Sequence, residues 1–254
     1  MSVKSRKSRD KSEELAGRRS SRQMFEEGRR LVNFPAGEGD FKFGFALIKQ
    51  ASILGEIRAH EWLGAMYDYG LGVRKNGRLA LRHYRIAAEA GLPNSEYHVG
   101  VFYMEGVGIR PSKRQAVEWL ERAAGHGDAA ALHVLGFCYR VGGGVPRNAT
   151  KGFRLHLRAA RKGILEAQFS VAYCFSQGEG VRVDTRKAFK WYVAAARRGH
   201  PVAAHNLGFF YETGRGVRPS KSKSEFWYRR ADVLEQSERD AYKPVAGGSR
   251  RKGR

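Results

Sequence analysis

A pair of glycines separated by one residue recurs five times along the chain, as Gly70/Gly72, Gly106/Gly108, Gly142/Gly144, Gly178/Gly180 and Gly214/Gly216. Each step is 36 residues, with no insertion. A fixed period of that length marks a stack of small supersecondary units, none of which buries its apolar face without a neighbour. One copy taken alone, GVGIRPSK at Gly106–Lys113, resembles a loop that cradles a phosphate. The repetition rules this out. The glycines punctuate turns, and no Gly-Lys-Ser/Thr follows a glycine after four intervening residues, as a P-loop requires.

The rest of the unit keeps the same phase. Val73, Ile109, Val145, Val181 and Val217 follow the glycine pairs. Three residues later stand Asn76, Ser112, Asn148, Asp184 and Ser220, whose side-chain oxygens suit the first turn of a helix. Upstream, Leu63-Gly64, Val99-Gly100, Leu135-Gly136, Val171-Ala172 and Leu207-Gly208 form one column pair, and Tyr67, Tyr103, Tyr139, Phe175 and Tyr211 another. Downstream come Tyr84, Leu120, His156, Tyr192 and Tyr228, then Ala87, Ala123, Ala159, Ala195 and Ala231. The spacing predicts a helix A over 59–69 with Leu63 and Tyr67 on one stripe, a glycine turn, and a helix B over 77–90 with Ala80, Tyr84 and Ala87 facing back. No strand is expected.

A degenerate unit precedes the five, with Gly28, Ala51 and Gly55 in phase with Gly64, Ala87 and Gly91. The predicted organisation is a disordered basic arm over 1–20, the degenerate repeat over 21–57 and five tandem repeats over 58–232. A capping helix extension over 233–242 and a basic tail over 243–254 complete it.

The pattern A-x3-LG-x2-Y-x2-G-x-GV, an N-cap, then A-x3-Y-x2-AA-x2-G resembles the Sel-one-like repeat, a tetratricopeptide relative, over about residues 23–232. The resemblance implies an all-α, right-handed α-solenoid of antiparallel helix pairs, and an adaptor role holding other proteins together. Some secreted members pair two cysteines within each repeat; this chain departs from that pattern.

The chain carries 47 Lys/Arg against 25 Asp/Glu, a net charge of +22, so it should attract polyanions or an acidic protein. No apolar run approaches the roughly 18 residues of a membrane helix. The start MSVKSRKSRDKSEEL lacks the apolar segment of a secretory signal, so a soluble, cytoplasmic, monomeric protein is expected.

Candidate chemistry is sparse. Cys138 and Cys174 lie 36 residues apart in an apolar column. Stacked helices stand about 8–10 Å apart while a disulfide needs Cα atoms within about 7 Å, so buried, reduced thiols are expected. The eight histidines include no His-x3-His pair, and no Cys-x2-Cys occurs, so neither metal nor other cofactor is expected. No nucleophile–base arrangement suggests an enzyme. Trp119, Trp191 and Trp227 share a helix B column and read as inter-repeat packing.

Two features exceed what a scaffold needs. The first is the A-helix face opposite Leu63 and Tyr67, which in this type of solenoid lines the concave side. A partner-binding groove of Tyr97, His133, Phe137, Arg140, Phe169, Tyr173, His205 and Phe209 is predicted there. Phe169 is expected to stand clear of the seam between helices A and B. The second is a basic ladder on the loops, Arg74, Arg110, Arg147, Arg182 and Arg218, predicted to form an anion-binding edge. A non-enzymatic adaptor that holds a peptide or helix of a protein partner is the leading reading. The alternative is an RNA-binding protein, or non-specific nucleic-acid binding through the basic tails.

Overall fold

The structure is a computed structural model and describes residues 20–241. The basic arm and tail predicted over 1–20 and 243–254 lie outside it except for Ser20. Twelve helices and no strand occur among the described residues. The degenerate pair is α1 (Ser21–Asn33) and α2 (Glu38–Ile53). The A helices of the five repeats are α3 (Ile57–Tyr69), α5 (Pro93–Glu105), α7 (Ala129–Val141), α9 (Leu165–Gln177) and α11 (Pro201–Thr213). Their B helices are α4 (Gly77–Glu89), α6 (Lys113–Gly125), α8 (Ala149–Arg161), α10 (Thr185–Arg197) and α12 (Lys221–Ala241). The described chain falls into two compact units, 20–131 and 132–241, divided inside α7.

The loops show why the period is rigid. Each A helix over which the bond is seen ends in a left-handed glycine, such as Gly70 at φ 78°, whose N–H donates to the Met66 carbonyl. The N-cap residue then closes the loop twice. The N–H of Asn76, Ser112, Asn148, Asp184 and Ser220 donates to the carbonyl of Tyr67, Tyr103, Tyr139, Phe175 and Tyr211, at 2.7–2.9 Å. The side-chain oxygen of each accepts from the B helix's third N–H, as Asn148 Oδ1 does from Lys151 at 2.9 Å. The second glycine has a different duty. A Cβ on Gly72 would collide with the Phe41 carbonyl oxygen at the start of the preceding B helix. Gly108, Gly180 and Gly216 meet the backbone of Gly77, Ala149 and Thr185 in the same way. Only glycine permits that approach.

Each unit has its own core. In unit 1, Phe25, Ile48, Leu63 and Met66 form one cluster and Tyr84, Val99, Phe102 and Tyr103 another. In unit 2, Leu155, Val171, Phe175, Tyr192, Leu207 and Phe210 are buried. The alanine column is sealed throughout: Ala87, Ala123, Ala159 and Ala195 are fully buried and Ala231 nearly so. In the degenerate pair, Gly28 meets Ile48 as Gly64 meets Tyr84, so the first unit keeps the helix–helix seam after losing the glycine loop.

Candidate functional site

In unit 2 the A-helix face presents three large rings to solvent. Phe137 on α7 is 48% exposed, Tyr173 on α9 37% and Phe209 on α11 39%. They hold one register position on three successive A helices. Two arginines order them. The Arg140 guanidinium lies 5.1 Å from the Phe137 ring centroid and 5.8 Å from that of Tyr173, while Arg215 lies 5.9 Å from Phe209. Arg140 also pairs with Glu179 at 3.1 Å, and Arg147 joins the same carboxylate at 3.3 Å. Arg140 is therefore a strut between two rings as well as a cation at their edge.

Sequence reasoning missed Glu179 and Arg215. Both occupy the position between the paired glycines, which is Leu71, Val107 and Gly143 in the first three loops. A charge at that position was the available signal, because the loop brings it beside the A-helix rings.

The neighbouring column behaves otherwise. Phe169 is half-buried, its ring stacked on His200 at 4.5 Å and tilted against the buried Tyr192 at 6.0 Å. The expectation that Phe169 stands clear of the seam between helices A and B does not hold. His133 and His205 repeat the geometry, 5.0 Å from His156 and 5.0 Å from Tyr228. This column inclines toward the B helix of its own repeat, so its side chains are shared between the seam and the outer face. Burial holds His133 below its ordinary pKa, and it pushes His156, which has no hydrogen-bond partner on either ring nitrogen, down to about 3. Both rings are neutral at pH 7.

Tyr97, the one predicted groove residue in unit 1, is half-buried and packs edge-on against His98 at 5.3 Å. Beside it, Glu96 is fully buried with Arg122 Nε at 3.1 Å and His126 Nδ1 at 2.7 Å. Arg122 also donates to the Ala88 carbonyl, tying α6 to α4.

The ladder residues Arg74 and Arg110 in unit 1, and Arg147, Arg182 and Arg218 in unit 2, are all exposed. Cys138 and Cys174 are buried and not joined to each other, and burial raises the Cys174 thiol to about 11, which suppresses thiolate chemistry. Trp119 is partly buried against the unit 1 core, under the Arg122 guanidinium at 4.3 Å. Among the described residues no cluster of three or more His, Cys, Asp or Glu side chains could hold a metal ion. No described helix is long and apolar enough to cross a membrane.

The comparisons with known proteins agree with this architecture. No curated protein matches the chain. A solved Sel1 repeat protein from Oxalobacter formigenes is similar at 26% identity and TM-score 0.75, over 83% of this chain and 85% of that one. A protective antigen present in uropathogenic Escherichia coli strains, displaying an SLR fold, is similar at 27% identity and TM-score 0.78, over 86% of this chain and 47% of that longer one. An immunity protein from Pseudomonas aeruginosa, at 20% identity and TM-score 0.54 over 86% of this chain and 83% of that one, shares the fold. The Sel1 repeat model matches residues 57–92, 93–128, 129–164, 165–200 and 201–231, copy by copy in the 36-residue phase read from the glycines. The chain thus belongs to the Sel1 repeat family, whose members generally mediate protein–protein interaction on a typically non-enzymatic scaffold.

Proposed function

We infer that this protein is a non-enzymatic adaptor, and that the exposed strip of unit 2 holds a peptide or helix of a protein partner. One observation carries the reading. Phe137, Tyr173 and Phe209 occupy one register position on three successive A helices, and all three rings are open to solvent. A scaffold gains nothing by exposing three large rings in a row, whereas aromatic and arginine side chains dominate binding energy at interfaces. The exposed arginines Arg147, Arg182 and Arg218 add attraction for an acidic segment, and Arg74 and Arg110 do the same in unit 1. The half-buried His133 and Phe169 support the strip from beneath, while His205 in the same column is exposed. The stretch of α12 beyond Ala231 closes the array, in keeping with Leu234 lying beside Gly199.

The test is to place a photo-crosslinking side chain at Phe137, identify the protein captured, and titrate it against the Phe137→Ala/Tyr173→Ala double variant. Binding should weaken by at least about tenfold, since truncating a central interface aromatic costs about 2 kcal/mol or more. Unchanged binding by a folded double variant would remove the strip from the function. Nucleic acid is the second reading, and the net charge of +22 favours it. Charge-driven binding of that kind should fall steeply with salt and show no sequence preference. A single RNA held tightly at physiological salt would put that reading first.

A further inference from the structure

On the corresponding face of unit 1 the chain places small residues where unit 2 has rings. Column 65 reads Ala65, Val101, Phe137, Tyr173 and Phe209. Above Ala65 lies a cavity of about 190 Å³ between α3 and α5, walled by Glu61, Trp62, Tyr69, Tyr84, Asn94 and His98. One polar group of its lining residues is unsatisfied. Tyr84 is 1% exposed, its ring stacked on His98 at 4.5 Å, and its buried hydroxyl has no hydrogen-bond partner.

The repeat supplies an internal control for that hydroxyl. At the same position Tyr228 donates to Glu212 at 2.8 Å, and the Tyr192 hydroxyl bonds Ser176 and Asn206. Glu212 and Ser176 share a column with Asp68. Tyr84 lines the cavity and has a carboxylate in the register its equivalents use, yet its hydroxyl is buried and unpartnered. A buried, unsatisfied hydroxyl is costly and calls for an explanation.

The surrounding charge indicates what would satisfy it. Glu61 is held in place by Asn94 Nδ2 at 3.2 Å and Ser95 Oγ at 3.0 Å, which leaves carboxylate lone pairs available. The formal charges acting on Tyr84 and His98 are carboxylates: Asp68 and Glu61 on both, and Asp128 on His98. Burial keeps His98 neutral at pH 7, so it brings no competing cation. No Lys or Arg lines the cavity. In a chain of net charge +22 this is an acidic, aromatic recess.

We propose that the cavity between α3 and α5 binds a primary alkylammonium group, presented as a lysine side chain of a bound protein. The ammonium donates to the Glu61 carboxylate and, by displacing the packing over the buried Tyr84 hydroxyl, to that oxygen. Its four-carbon stem lies against Trp62 and Tyr69, whose rings also favour a cation. Lysine as the source of the ammonium rests on the adaptor reading; the recognition chemistry does not.

The experiment uses the full chain and follows the Trp62 indole N–H by heteronuclear NMR. The probes are n-butylammonium, a tripeptide with central lysine capped at both ends, and the same tripeptide with norleucine. The lysine peptide and butylammonium should shift Trp62 saturably, with Trp119, Trp191 and Trp227 unmoved, and norleucine should not. Glu61→Gln and Tyr84→Phe should each weaken the lysine peptide by about tenfold or more, the loss expected when a hydrogen bond to a charged group is removed. Tyr84→Phe should also raise the melting temperature, because it deletes the orphaned hydroxyl and keeps the ring. The site is overturned if norleucine shifts Trp62 equally, if no probe saturates, or if both variants bind as the parent does. Saturable butylammonium binding without lysine-peptide binding overturns the lysine source. Success here alongside a neutral Phe137→Ala/Tyr173→Ala variant would sink the strip and leave the cavity standing.

Discussion

Glu96 in unit 1 and His156 in unit 2 are both sealed from solvent, at 0% and 1% exposure, and the two units treat them differently. Glu96 lies between Arg122 and His126, at 3.1 and 2.7 Å. His156 has no hydrogen-bond partner, and its surroundings force it to stay neutral. One backbone supports both arrangements. Burial alone therefore does not make an ionisable group stabilising or destabilising; the partners within reach decide the sign. The outer faces differ in the same way. Unit 1 offers a recess with carboxylates, and unit 2 offers rings with arginines.

Three expected outcomes would break or sharpen that contrast. Removing a partner should produce the largest effect. Arg122→Ala takes a partner from the buried Glu96 and should cost about 2 kcal/mol by denaturant titration, below the range for a fully buried pair because the Arg122 side chain is 46% exposed and His126 remains. A loss under about 1 kcal/mol would show that Glu96 needs no partner and would erase the difference between the units.

Deleting the unpartnered group should act in the opposite direction. His156→Leu copies Leu120 one repeat earlier and should stabilise the protein by about 1–3 kcal/mol at pH 7. The acid limb sharpens the test. The folded-state pKa of His156 is pushed down to about 3 while the unfolded chain titrates near the ordinary 6.5, so the unfolded state binds the extra proton between them. Stability should fall as pH drops through that window, by about 1.4 kcal/mol per pH unit from this residue. His156→Leu should remove that contribution and leave the share due to His83 in unit 1, which burial holds at about 4. An acid limb of unchanged steepness in the variant would show that His156 is not the group being charged.

The smallest effect belongs to the exposed strip. Phe137→Ala should change stability by about 0.5 kcal/mol or less, as surface substitutions do, whereas Phe169→Ala, one column away, should cost about 2 kcal/mol through its lost contacts with His200 and Tyr192. Thermal melts of the two variants side by side decide it. Equal losses would mean that the strip belongs to the core.

The helix pairs, their caps and their phase were legible because the requirement for Gly70, Gly72 and Asn76 is local and repeats five times. The tilt of column 61 was not. Phe169 and Phe137 both lie away from Leu63 on a helical wheel, and a wheel gives an angle but no depth. Depth depends on what the facing B helix carries, here Tyr192 opposite Phe169. The recess above Ala65 was harder still, since it is made by a missing side chain. Glu179 and Arg215 escaped because loop positions between glycines read as spacers.

The contact of each second glycine with the start of the preceding B helix has a further consequence. In four loops the step from one repeat to the next is gauged by main chain against main chain, as at Gly72 and Phe41. That spacing is set without side chains, and ring contacts such as Tyr84 on His98 add to it. A chain that duplicates or deletes repeats in multiples of 36 residues keeps the same main-chain gauge at such a loop while it changes the order of the faces it presents.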